Sequence, residues 1–215
     1  MKIRGNGRSD WKGLLVTGLM PMLLLSLGIG FAQENRSRFW MRYYPLAVGN
    51  AWQYSVTSES KGTKEESVTW KVVNETNNAA GPVFAVWPTP VEADDEGMQL
   101  QATPDGLLEL TSNFYILRFP VKKGDSWKVN GQHDRILSVI SEGKSCAVGE
   151  LTFSRCAVVR DDDREAKLRT ITTYAFGVGP VRYEYHKLVL EDFEAHASQI
   201  LHIVSYSVKP SVPKK

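Results

Sequence analysis

Apolar residues recur at every second position along much of this chain, and that spacing constrains the fold more than any single motif. Val68, Trp70 and Val72 alternate with Thr69 and Lys71. Val181, Tyr183, Tyr185 and Val189 alternate with Arg182, Glu184 and His186, and Ile200, His202, Val204, Tyr206 and Val208 continue the habit. A period of two puts one set of side chains on the buried face of a sheet and the other toward water. The β-branched and aromatic content of these runs suits strands. Turn-forming residues punctuate them: Gly81-Pro82, Asp94-Asp95-Glu96-Gly97, Pro104-Asp105-Gly106, Gly124-Asp125, Asn130-Gly131 and the stretch 177–180. This is the spacing of an antiparallel sheet with short connections. The expected fold is mainly β: a single antiparallel, curved sheet or half-barrel of about ten or more strands with few short helices. The longest strands are expected at 152–160, 166–176, 181–191 and 197–208, as a meander, and short helices at 36–43 and 191–197.

The first 32 residues are set apart from that pattern. Lys2, Arg4, Arg8 and Lys12 oppose only Asp10, four positive charges against one, and no charged residue follows from Leu14 to Ala32. The run closes on Gly30-Phe31-Ala32. A basic start, an apolar middle and a small-x-small exit are the three parts of a secretory signal. Residues 1–32 are therefore expected to be a signal peptide cleaved between Ala32 and Gln33, with 33–215 forming a single β-rich domain in the periplasm or outside the cell. The competing reading is an uncleaved anchor, which would be the chain's one link to a membrane. Glycines and Pro21 in the run weaken such a helix. Removing four basic and one acidic residue from totals of 26 and 24 leaves 22 against 23. The expected mature protein thus has no overall positive field to attract nucleic acid.

Two nine-residue segments echo each other. Tyr44-Pro45-Leu46-Ala47-Val48-Gly49-Asn50-Ala51-Trp52 is matched by Phe119-Pro120-Val121-Lys122-Lys123-Gly124-Asp125-Ser126-Trp127. Each shared residue has a physical role. Pro45 and Pro120 fix an extended approach. Gly49 and Gly124 permit a turn, and Asn50 or Asp125 can hydrogen-bond its own backbone there. Trp52 and Trp127 then open a strand and carry a large apolar area into the core. The pair is read as a structural motif rather than a binding site.

Only two cysteines occur, Cys146 and Cys156, on either side of a turn signal at Gly149-Glu150. In an exported chain a disulfide between two adjacent strands is expected, the alternative being two buried thiols.

At these residues the sequence resembles a loose family of uncharacterised exported bacterial β-rich proteins. The shared marks are a YYPLxxGNxWxY opening at 43–54, an FPxxxGDxW repeat at 119–127, a GxxTFxxC hairpin at 149–156 and a YAxGVGxVxxE segment at 174–184. The resemblance implies an antiparallel sheet curved like the lipoprotein carriers of the bacterial envelope, and it implies no activity. Many relatives carry a lipidated cysteine that this chain lacks near its expected cleavage site.

No constellation in the sequence specifies chemistry. Asp161-Asp162-Asp163-Arg164-Glu165 is acidic enough for calcium but lacks the ordered spacing of a calcium loop, so a solvated turn is expected. Asp94-Asp95-Glu96 reads the same way. His133, His186, His196 and His202 form no metal-binding pair. His202 is expected on an apolar strand face, and His186 in a solvated ladder with Glu184 and Arg182. No nucleophile elbow, phosphate loop or dinucleotide glycine pattern appears. The reading is a noncatalytic exported protein that binds an apolar ligand, such as a lipid, or a partner protein of the envelope, with no cofactor. The alternatives are a structural adaptor with a filled core and, behind it, a hydrolase whose site assembles only in space.

Overall fold

The structure is a computed structural model and describes residues 42–58, 66–89, 97–131, 134–189 and 192–209. The expected signal segment and its Ala32–Gln33 cleavage site, the run Asp94-Asp95-Glu96, and His133 lie outside the described residues.

Alternating sequence and frequent turn residues give thirteen strands. The first meander is β1 (Ala51–Ser58), β2 (Glu66–Asn78), β3 (Gly81–Thr89), β4 (Met98–Thr103), β5 (Gly106–Glu109) and β6 (Phe114–Arg118). The second is β7 (Ser126–Lys128), β8 (Arg135–Val148), β9 (Leu151–Asp163), β10 (Leu168–Ala175) and β11 (Gly179–Val189). A two-residue strand β12 (Asp192–Phe193) and the long β13 (Gln199–Ser207) complete the set. All belong to one antiparallel sheet in the order β6-β5-β4-β3-β2-β1-β13-β11-β10-β9-β8-β7, with β12 beside β11. Strand β13 joins the two meanders by pairing with β1 on one side and β11 on the other.

The sheet is open, and its two edges, β6 and β7, are consecutive in the chain. They are brought together without a ladder. Trp127 Nε1 donates to the Tyr115 carbonyl across the seam at 2.7 Å. Arg135 on β8 sits 4.1 Å over the ring of Phe114 on β6. The core lies inside this curl and includes Trp52, Tyr54, Val72, Leu100, Leu107 and Val181, each essentially without solvent exposure.

Three expectations need correction. No helix occurs among the described residues. Where one was expected at 191–197, Phe193 is buried and β12 pairs with the end of β11. Glu194 and Ser198 donate their N–H groups to Lys187 and Tyr185, so strand pairing replaces the costly nucleus of a short helix. Of the expected helix at 36–43, only Arg42 and Tyr43 are described, and they lie in a turn. In β13 the phase is reversed: Leu201 and Ile203 point into the core while Val204 and Tyr206 are each 46% exposed. The run Ile200-Leu201-His202-Ile203-Val204 is apolar on both faces, and the ladder with β1 slips at Gln53/Tyr54, so alternation alone cannot set the phase.

Candidate functional site

From the turn to the tryptophan the two echoed segments build the same local structure; at the proline they differ, the Phe119–Pro120 bond being cis. Asn50 N–H donates to the Ala47 carbonyl at 2.9 Å, and Asp125 N–H to that of Lys122 at 3.1 Å. Gly49 and Gly124 occupy the third position of these turns with φ of 94° and 92°, a region that favours glycine. The bonds to the next strand match as well. Gly49 N–H donates to Val72 C=O and Val72 N–H to Asn50 C=O; Gly124 N–H donates to Val139 C=O and Val139 N–H to Asp125 C=O. Each tryptophan is then the second residue of its strand, buried, with its indole N–H on a backbone carbonyl: Trp52 on Val178 at 2.6 Å and Trp127 on Tyr115 at 2.7 Å. Pro45 and Pro120 precede the two turns. These residues form walls and joints; of the two segments only Tyr44 lines the cavity described next.

Cys146 and Cys156 are joined across β8 and β9 with Cα atoms 6.0 Å apart. The bond ties the outer half of the long hairpin that carries Gly149-Glu150 at its tip.

Inside the curl is a cavity of about 200 Å³. Alternation on β10 and β11 sends Thr170, Thr172, Tyr174, Tyr183 and Tyr185 to it, and Tyr44 closes that wall. Met98, Phe114 and Ile116 face them from β4 and β6. Leu137, Val159, Arg135 and Asp161 come from β8 and β9. The aromatic wall is continuous. Tyr183 and Tyr185 stack at 6.5 Å with planes 12° apart, and Tyr54 meets Tyr183 edge-on at 5.6 Å. Burial pushes the hydroxyls of Tyr44, Tyr54, Tyr174, Tyr183 and Tyr185 above the ordinary phenol range, so they are neutral near pH 7. Several are already engaged: Tyr54 donates to Pro180 C=O at 2.7 Å, Tyr44 bonds Tyr183, and Tyr174 bonds Thr172.

One corner of the cavity is ionic. Arg135 Nε and Nη2 grip Asp161 at 3.1 and 2.8 Å, a bidentate pair, and Nη1 lies 3.5 Å from Asp163. Burial works against the charge on Arg135, but Asp161, Asp163 and Glu109 outweigh it and raise its pKa. The acidic run is thus not the solvated turn expected: β9 continues through Asp163, and the turn begins at Arg164. Cross-strand arginines make this possible, since Asp162, on the opposite face, pairs with Arg169 and Arg160.

The described histidines are elsewhere. His186 is buried rather than solvated, with Nδ1 3.0 Å from Glu194 C=O and Nε2 3.8 Å from Glu184. The bend after β12 covers it. His202 is not on the apolar face; it pairs in register with Arg182 and Ser55. A second hollow, of about 320 Å³, lies where His202 and Val204 meet the β8–β9 hairpin tip. It is larger but more polar and gathers residues from only two places in the fold. The aromatic cavity draws on six strands, and it is the better candidate. No group of three or more His, Cys, Asp or Glu suited to a metal ion occurs among the described residues.

No protein-family model matches the chain, and no curated protein matches it. Two solved structures are similar in shape. One is a Bacteroides fragilis protein described as exported with a YmcC-like fold: 10% identity, 77% of this chain and 98% of that one covered, TM-score 0.45. The other is a Parabacteroides distasonis protein described as a lipoprotein, with the same identity and coverage and a TM-score of 0.39. At these values the likenesses carry no argument about what this chain does.

Proposed function

We propose that this chain is an exported, noncatalytic binding protein that holds a small, largely apolar ligand in the curl of its sheet. The observation that carries the reading is the aromatic cavity of about 200 Å³ between the two meanders. An apolar cavity of about 150 Å³ is enough for benzene, so this one suits a single ring or the end of an acyl chain rather than a whole lipid tail. Its lining combines a majority of apolar and aromatic side chains with a few convergent polar groups, the usual make-up of a ligand site. No histidine is among its described lining residues, and Asp161, the carboxylate opposite Thr170, is held by Arg135 rather than by a threonine hydroxyl, which favours binding over hydrolysis there. Export is proposed from the basic, apolar and small-x-small pattern of the first 32 residues.

Native mass spectrometry of the protein purified from its own envelope tests this. A retained small molecule is expected in the parent and lost in Val159→Trp, which fills the cavity. Identical spectra for folded parent and variant would contradict the reading.

A further inference from the structure

We propose that the ligand of this cavity carries a cationic amine head on its apolar body, and that the head sits against Asp161 and the tyrosine wall. The inference rests on the binding reading above and deepens it.

The first support is charge. Direct cross-strand neighbours share a face of a sheet, so the partners of cavity residues reveal which charges look inward. Glu109 pairs with Phe114, Asp161 with Leu137 and Thr170, and Asp163 with Arg135. Lys187, opposite Leu168, belongs to the same face one pleat outward and is exposed at the rim. Around Arg135 and Asp161 the inward-facing charges are therefore Arg135 and Lys187 against Asp161, Asp163 and Glu109, a balance of two to three. Arg160, Asp162 and Arg169 lie on the opposite face of β9 and β10 and answer one another there.

The second support is the state of the hydrogen-bonding groups. The guanidinium of Arg135 turns Nε, Nη1 and Nη2 toward carboxylates and lays its face on Phe114. Its charge is thus already answered by two carboxylates, which an anionic head would have to face at close range. Asp161 is different. A carboxylate has about four acceptor sites, and Arg135 takes one on each oxygen, leaving lone pairs for a further donor. An ammonium brings three N–H donors and no acceptor, the complement of what Asp161 offers.

The third support is the wall itself. The faces of Tyr174, Tyr183 and Tyr185 carry the negative part of the ring quadrupole, which attracts a cation within about 6 Å of a ring centre. The field of Asp161 reaches that wall, where it raises the pKa of Tyr174 further above the value set by burial. Carboxylate and aromatic faces therefore act on the same small volume.

Calorimetric titration with three ligands of one size separates the possibilities: phenethylamine, phenethyl alcohol and hydrocinnamate at neutral pH. The amine should bind about tenfold more tightly than the alcohol, equal to about 1.4 kcal/mol, with the carboxylate weakest. In Asp161→Asn the amine should fall to the level of the alcohol while the alcohol keeps its affinity. Should that variant fail to fold with Arg135 deprived of its bidentate carboxylate, the parent's own ranking still decides, and Asp163→Asn should narrow the gap without touching the cavity wall. Equal binding of amine and alcohol, or tightest binding of hydrocinnamate, would overturn the head-group assignment and leave the cavity reading standing. No binding of any of the three would bring down both.

Discussion

The same nine-residue device appears at the centre of the sheet and at its edge, and the surroundings decide what it is worth. At the centre, β1 is flanked on both sides, and Trp52 is fully buried. Asn50 is buried too; it donates to Pro45 C=O at 2.6 Å and accepts the Lys209 N–H at 2.9 Å, tying the lead-in of β1 to the chain beyond β13. Gly179 approaches so closely that a Cβ there would lie 2.9 Å from the Trp52 indole. At the edge, β7 has only β8 as a ladder partner, and Lys122 to Ser126 are exposed. A Cβ on Gly124 would meet nothing. Trp127, 7% exposed, spans the seam to β6 in place of a ladder. One motif anchors a core and the other latches an opening.

Removal of the two tryptophans should separate these roles most strongly. Trp52→Ala is expected to cost about 4–5 kcal/mol, the upper end for emptying a large aromatic site, and Trp127→Ala about 3 kcal/mol. Urea titrations of both variants check the ordering. A Trp127 loss equal to or greater than the Trp52 loss would break the contrast between centre and edge.

Alkaline pH probes the centre next. The phenols of Tyr44, Tyr54, Tyr174, Tyr183 and Tyr185 have raised pKa values because they are buried. Above a pH of about 10 an unfolded chain ionises its tyrosines while the folded one holds its protons, so stability is full below that pH and falls as it rises. Each phenol still protonated contributes a loss of up to about 1.4 kcal/mol per pH unit. Tyrosinate absorbance should appear together with unfolding. A gradual titration of all the tyrosines with the sheet intact would show that the wall is wet.

The smallest contrast lies in the turn residues. Asn50→Ala removes one buried and one half-buried hydrogen bond and should cost about 1–3 kcal/mol, whereas Asp125→Ala, at an exposed position, should stay within about 0.5 kcal/mol. Thermal melts measure both, and similar losses would mean that Asp125 has a buried partner in solution.

Period two made the sheet legible in the sequence, because β-branched and aromatic residues alternate with polar ones in stretches such as Val68 to Val72 and Val181 to Tyr185, even where burial itself does not alternate, as in β10. Proline, glycine and tryptophan at fixed spacing made the two lead-ins legible, because turn chemistry is local. The cavity was not legible. Its lining comes from residues as far apart as Tyr44 and Tyr185, and Arg135 meets Asp161 only because β8 and β9 form a hairpin. Charge suggested solvent at Asp161; the partner that allows it to face inward is 26 residues away. One signal was present: Asp161, Thr170 and Tyr185 fall on the same face once β9, β10 and β11 are aligned as a meander.

The central claim is that the echoed tryptophans are scaffold and that ligand binds between them. The most direct measurement follows thermal stability and phenethylamine affinity together in Trp52→Ala and Trp127→Ala, reading affinity below each variant's melting range. The account predicts a lower melting temperature in both, lowest for Trp52→Ala, with affinity per folded molecule within about threefold of the parent. Variants that melt like the parent and have lost binding would contradict it, and would make the tryptophans themselves the binding surface.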